Sequence, residues 1–124
     1  MTLSIANDFA SVPVAHRIYL TEDWVKDKER RTKTGVPSEI RFATKPQIAL
    51  EQIRAAHAAG IAPGVIVADA AYGNTTIFRD EITEMGLPYI LGVQSNTTAW
   101  PPGEAPLPPR KRKNRLGRPR TALR

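Results

Sequence analysis

A chain of 124 residues with a formal net charge of +6 has room for one domain. It holds no cysteine, which excludes disulfides and thiolate metal sites, and its two histidines, His16 and His57, are too few and too far apart in sequence for a histidine-built metal centre. No apolar run nears the roughly 20 residues needed to span a bilayer, and no basic flank leads into an apolar stretch as in a secretory leader, so a soluble cytoplasmic protein with no membrane partner is expected.

In chain order, residues 2–6 (TLSIA) and 12–20 (VPVAHRIYL) predict two strands around the turn-forming Asn7 and Asp8. In the second, Val12, Val14, His16, Ile18 and Leu20 alternate with Ala15, Arg17 and Tyr19, the two-residue period of a half-buried strand. Residues 21–41 mix charges of both signs with Gly35 and Pro37 and predict an exposed connection with a short helical turn near Trp24.

A helix is expected over residues 44–60. Thr44 and Gln47 have capping-box spacing, Pro46 falls in the first turn where its absent N–H costs nothing, and Gly60 can end the helix in the left-handed conformation. Ala49, Ile53 and Ala56 share an apolar face. Val65 to Ala68 then form a short apolar run suited to a strand buried on both faces. A second helix, about residues 75–85, aligns Phe78, Ile82 and Met85, with Asn74 or Thr75 as cap and Gly86 as stop. Pro88 to Val93 predict another buried strand.

The order strand, strand, helix, strand, helix, strand implies an α/β domain whose later strands pair in parallel through helical crossovers. From Asn96 the composition changes. Residues 101–109 (PPGEAPLPP) hold five prolines and suit an extended linker. Residues 110–124 hold eight Lys or Arg and no acid, whereas the first 109 residues carry ten bases against twelve acids, a net charge of −2. The positive charge of the chain therefore belongs to its tail. A body over residues 1–100 and a tail over residues 101–124 are expected.

Two features carry candidate chemistry. Asp69 closes the run Val65 to Ala68, and an acid at the C-terminal end of a parallel strand sits where open α/β sheets place ligands. Its oxygens suit a hard divalent cation, but the same position suits an Asp that bonds the amides of its own loop, or the phosphate acceptor of a receiver domain. The following Tyr72 and Gly73 predict loop packing and a sharp turn at positive φ. In the tail, Arg110, Lys111, Arg112, Lys113, Arg115, Arg118 and Arg120 suit a nucleic-acid backbone, and Gly117 to Arg120 (GRPR) resembles short minor-groove hooks. The competing reading is a solvated charge run. Asp8, Glu22, Asp23 and residues 26–33 are expected on the solvated surface.

Several blocks together resemble the DDE-superfamily transposases of bacterial insertion sequences: Ser4–Asp8 with Pro13–Leu20, Gly35–Pro37, Phe42–Pro46, Val67–Gly73 (VADAAYG), Leu87–Val93 and Asn96–Pro101. The resemblance runs through nearly the whole chain in one order. It implies a partial RNase H-like mixed sheet and DNA transposition by phosphoryl transfer, in which three carboxylates hold divalent cations, Mg2+ or Mn2+. It implies that Asp69 is the second of those acids, both catalytic residue and metal ligand. It also places the first Asp ahead of Met1 and the Glu beyond Arg124, so a truncated catalytic domain, inactive alone, is expected. The implied partners are DNA at transposon ends and, through self-association or pairing, the rest of the transposase. Two other readings stay open: a non-catalytic nucleic-acid-binding protein acting through the basic tail, and a receiver-like domain phosphorylated on Asp69.

Overall fold

The structure is a computed structural model and describes residues 1–109. Its contacts divide the chain into Met1–Gln94 and Ser95–Arg124. The first unit opens with strands β1 (Thr2–Ala6) and β2 (Ser11–His16), joined as an antiparallel hairpin. Asn7 makes the turn as its sequence predicts: its side-chain oxygen accepts from the amides of Phe9 and Ala10, both at 2.9 Å. The second strand is shorter than its alternation suggests. A bulge between Leu3 and Ser4 shifts the register, and after Arg17, whose amide donates to the Met1 carbonyl, the chain leaves the ladder.

Helices α1 (Glu22–Lys26) and α2 (Lys28–Lys33) occupy the charged connection, where one helical turn near Trp24 was expected. Asp27 supplies the break between them and caps α2 by accepting from the Arg30 amide. The Arg30 guanidinium lies 4.7 Å from the centre of the Trp24 ring, and Arg31 donates to the carbonyls of Val25, Pro37 and Ile40. Arg31 is thus spent on holding its own loop.

Helix α3 (Lys45–Ala58) begins with the capping box that Thr44 and Gln47 predict, and the chain turns out of it at Gly60 with φ +78°. Its buried residues are Ile48, Leu50 and Ile53, a wider face than Ala49, Ile53 and Ala56 alone. Strand β3 (Ile66–Ala68) follows, then a one-turn helix α4 (Ala70–Gly73), helix α5 (Thr76–Glu84) and strand β4 (Tyr89–Leu91). Gly86, at φ +68°, stops α5.

Strands β3 and β4 pair in parallel, as two strands separated by helices must when the crossover packs on the sheet. Leu50, Ile53, Phe78, Ile82 and Leu87 form the buried core, with Leu3, Ile66, Tyr72 and Leu91 packed around it. The result is a mixed α/β fold consistent with a partial RNase H-like domain, in which the antiparallel and parallel pairings form two separate two-stranded sheets.

The expectation that the later strands are buried on both faces is overturned. Ile66 and Leu91 face the core, but Val67 is 74% exposed and its partner Ile90 68% exposed. Helices cover one face of this sheet, and among the described residues nothing covers the other. In the second unit, residues 95–109 form no helix or strand; a turn there bonds the Glu104 amide to the Pro101 carbonyl, with Gly103 at φ +84°.

Candidate functional site

Asp69 stands at the C-terminal end of β3, where the sequence placed it. Its backbone is extended, with φ −80° and ψ −178°, and its side chain caps α4: Oδ1 accepts from the Ala71 amide at 2.8 Å. Its own carbonyl accepts from the amides of Tyr72 and Gly73 at 3.1 and 3.0 Å. The carboxylate is exposed, and one oxygen is committed to the loop amide, which is the local bonding that the sequence left open as a competing role.

The seat beneath it is built from two glycines. Gly73 is buried in α4 and has no positive φ, so the expected left-handed turn is overturned. Its lack of a side chain serves contact instead. A Cβ on Gly73 would lie 1.9 Å from the Gly92 carbonyl oxygen and 3.0 Å from the Leu91 Cβ. A Cβ on Gly92 would lie 3.1 Å from the Ala70 nitrogen and 3.3 Å from the Asp69 carbonyl carbon. The start of α4 therefore rests directly on the backbone just past β4, and that contact fixes the height of Asp69 above the sheet. Gly92 also donates to the Ala68 carbonyl at 2.9 Å, which carries the β3–β4 ladder up to the residue before Asp69.

Polar contacts brace the far end of α4. The Arg79 guanidinium donates to the Gly73 carbonyl and, at 3.0 Å, to Thr76 Oγ1. Asn74 Oδ1 accepts from the Gln94 amide at 3.1 Å. Tyr72 packs its ring 5.6 Å from that of Phe78, and its phenol is held above the usual tyrosine pKa, first by burial and then by the negative charge of Asp69.

A single carboxylate does not make a divalent-cation site, because Mg2+ takes six oxygens in a near-octahedral shell. Among the described residues no three His, Cys, Asp or Glu side chains gather. Of the other acids on α3 and α5, Glu51 pairs with Arg17 and Glu81 with Arg54. Asp69 thus fits one ligand position of such a site, and the described residues do not complete it.

The predicted nucleic-acid contacts Arg110, Lys111, Arg112, Lys113, Arg115, Arg118 and Arg120 lie outside the described residues. Sequence reading missed two parts of the site, the one-turn helix α4 and the role of Gly92. The only signal was the run of small residues Ala68, Ala70, Ala71 and Gly73, which permits close backbone approach without naming what approaches. Elsewhere, Lys28, Arg31, Thr32, Val36, Ser38 and Arg41 line a hollow beside α2. Among the described residues no helix is long and apolar enough to cross a membrane.

A family model described as DDE superfamily endonuclease matches residues 1–124. No curated protein and no solved structure matches the chain.

Proposed function

This chain belongs to the DDE superfamily endonuclease family, and we propose that it forms part of the catalytic domain of a bacterial insertion-sequence transposase, acting on DNA at transposon ends in the cytoplasm. The observation that carries this reading is the position of Asp69. It ends a parallel strand at the mouth of the sheet, in a seat that two glycines and three local amides hold rigid. Rigid placement matters for this class of chemistry, because phosphoryl transfer is catalysed mainly by positioning and by neutralising charge.

In this reading Asp69 supplies one carboxylate toward Mg2+ or Mn2+, and the remaining ligands come from polypeptide outside the described residues. Such cations activate water or a DNA 3′-hydroxyl when bound. What this chain itself does is narrower: it orients one carboxylate and, through the basic residues 110–124, attracts the DNA backbone. On its own it does not cleave DNA.

Manganese-induced broadening of amide signals tests the role of Asp69. In the full chain, Mn2+ should broaden the amides of residues 69–72 at concentrations where other exposed acids show no effect, and Asp69→Asn should abolish the selectivity. Equal broadening at Asp80 or Glu84 would remove Asp69 from the site. Nucleotides flanking the coding segment should encode a strand ending in Asp and a helix bearing Glu; their absence in every frame would sink the transposase reading. Cleavage of duplex DNA by the purified chain with Mg2+ would contradict the inactivity.

The second reading, a nucleic-acid-binding protein without catalysis, is favoured by the absence of a three-acid cluster among the described residues together with the charge of the tail. It predicts that DNA binding falls steeply with salt, disappears on deletion of residues 110–124 and is indifferent to Asp69→Asn.

A further inference from the structure

The hollow beside α2 is walled by two elements. Lys28, Arg31 and Thr32 share one face of α2, being three and four residues apart, and Val36, Ser38 and Arg41 come from the loop that follows. Backbone bonds and one side chain fold that loop back onto the helix. The Val36 amide donates to the Arg31 carbonyl at 3.0 Å, and the Ile40 amide to the Pro37 carbonyl at 3.2 Å. The half-buried Arg31 donates to the carbonyls of Pro37 and Ile40 on the loop and of Val25 on α1. These bonds fix the shape of the hollow.

Its charge is unbalanced. Lys28, Arg31 and Arg41 line it, and no acid among the described residues does. Neither Lys28 nor Arg41 forms an ion pair among the described residues, whereas Lys26 on the preceding helix is paired with Glu22. The acids of the segment are placed otherwise: Asp27 caps α2, and Glu29 and Glu39 do not line the hollow. Like charges gathered around one concavity repel, and an anion inside replaces that repulsion with attraction. The patch stands on a body that carries ten bases against twelve acids over its first 109 residues.

We propose that this hollow binds a phosphate of a nucleic-acid backbone, as a contact separate from both Asp69 and the basic tail. A phosphoryl group offers oxygens in several directions, which suits cations approaching from two walls. Arg41 meets two of those oxygens with its planar fork, and Lys28 supplies a point charge. Arg31 adds charge from a fixed position. Ser38 brings a hydroxyl donor, while the Thr32 hydroxyl is already given to the Lys28 carbonyl at 3.0 Å and is left to accept. At about 370 Å3 the hollow has the size that takes an organic ligand and not only a bare ion, so a sugar–phosphate unit fits it. No aromatic side chain lines it on which a base could stack, so the contact is to backbone. The choice of polymer rests on the proposed action on DNA. The location rests on geometry and charge, and neither depends on Asp69 holding a cation, so this test and the manganese experiment can fail separately.

The test uses the full 1–124 chain, a short mixed-sequence DNA duplex and, separately, inorganic phosphate. Lys28→Gln and Arg41→Gln each remove one charge from the hollow, and Lys33→Gln removes one from the same segment outside it. Each hollow variant should weaken duplex binding about fivefold to tenfold near about 0.1 M salt and lower the slope of log affinity against log salt by about one. Lys33→Gln should change neither. In the wild type the duplex should shift the amides of Thr32, Ser38 and Arg41 saturably, and inorganic phosphate should shift them without saturating over the same range. All three substituted side chains are exposed, and unchanged amide signals outside residues 28–41 confirm that the variants are folded. Three results would overturn the proposal: undiminished binding in either hollow variant, an equal loss in Lys33→Gln, or saturation by inorganic phosphate with no response of these amides to the duplex.

Discussion

The packed unit of α3, β3, α4, α5 and β4 and the β1–β2 hairpin are stabilised in different ways. In the former, Phe78 and Ile82 are completely buried and two glycines bring backbone against backbone. In the hairpin, only Leu3 packs against the core, while Ile5, Val12 and Val14 stand open to solvent. The hairpin is held by its own ladder, by the Asn7 turn and by the pair between Arg17 and Glu51 on α3. An exposed ion pair of this kind contributes between nothing and about 1 kcal/mol. Two strands alone are marginal in water. The difference teaches that volume changes should be felt on the packed side and tolerated on the other.

Phe78→Ala should be the most damaging change. It leaves a cavity between α5 and the α3 face and removes the ring against Tyr72, for a loss of about 3–5 kcal/mol by urea unfolding. A loss under about 1 kcal/mol would show that this region is no better packed than the hairpin. Gly73→Ala should come next, at about 1–3 kcal/mol, because its Cβ cannot coexist with the Gly92 carbonyl and α4 must lift away from β4. Loss of protection at the Gly92 amide would locate that damage at the seat of Asp69.

Tyr72 sharpens the comparison through pH. Its phenol ionises above the ordinary tyrosine range because the packed unit desolvates it and Asp69 lies near. The folded state therefore holds this proton more tightly than the unfolded chain does. The resulting stabilisation is complete below the ordinary tyrosine pKa and fades as pH rises through the folded value. Absorbance at alkaline pH, wild type minus Tyr72→Phe, should show a late-titrating tyrosine, and stability of the wild type should fall there more than that of the variant. The smallest effect is expected for Ile18→Thr, within about 0.5 kcal/mol, since the side chain is 73% exposed. A larger loss would mean that the segment just past the hairpin is covered in solution.

The local structure was legible because its causes are local. Thr44 and Gln47 announce a capped helix through contacts three residues apart, and Asn7 announces its turn through amides two and three residues away. Gly60 and Gly86 end helices because no other residue takes positive φ so cheaply. Asp69 could be placed at a strand end for the same reason: the apolar run stops there. Misreadings arose where the deciding partner is distant. Gly73 looks like a turn glycine until Gly92, nineteen positions on, is brought onto it. Val65 to Ala68 look buried on both faces because an apolar run says nothing of how many layers will cover it.

The sequence by itself therefore determined the order and type of the main elements, the charge asymmetry between body and tail, and one carboxylate at a strand end. These depend on neighbours within a helical turn or a strand repeat. Only the tertiary structure decided that a glycine contact fixes the seat of Asp69 and that one face of the β3–β4 sheet is left open. Those facts depend on which backbones approach closest, and packing sets that distance across parts of the chain far apart in order.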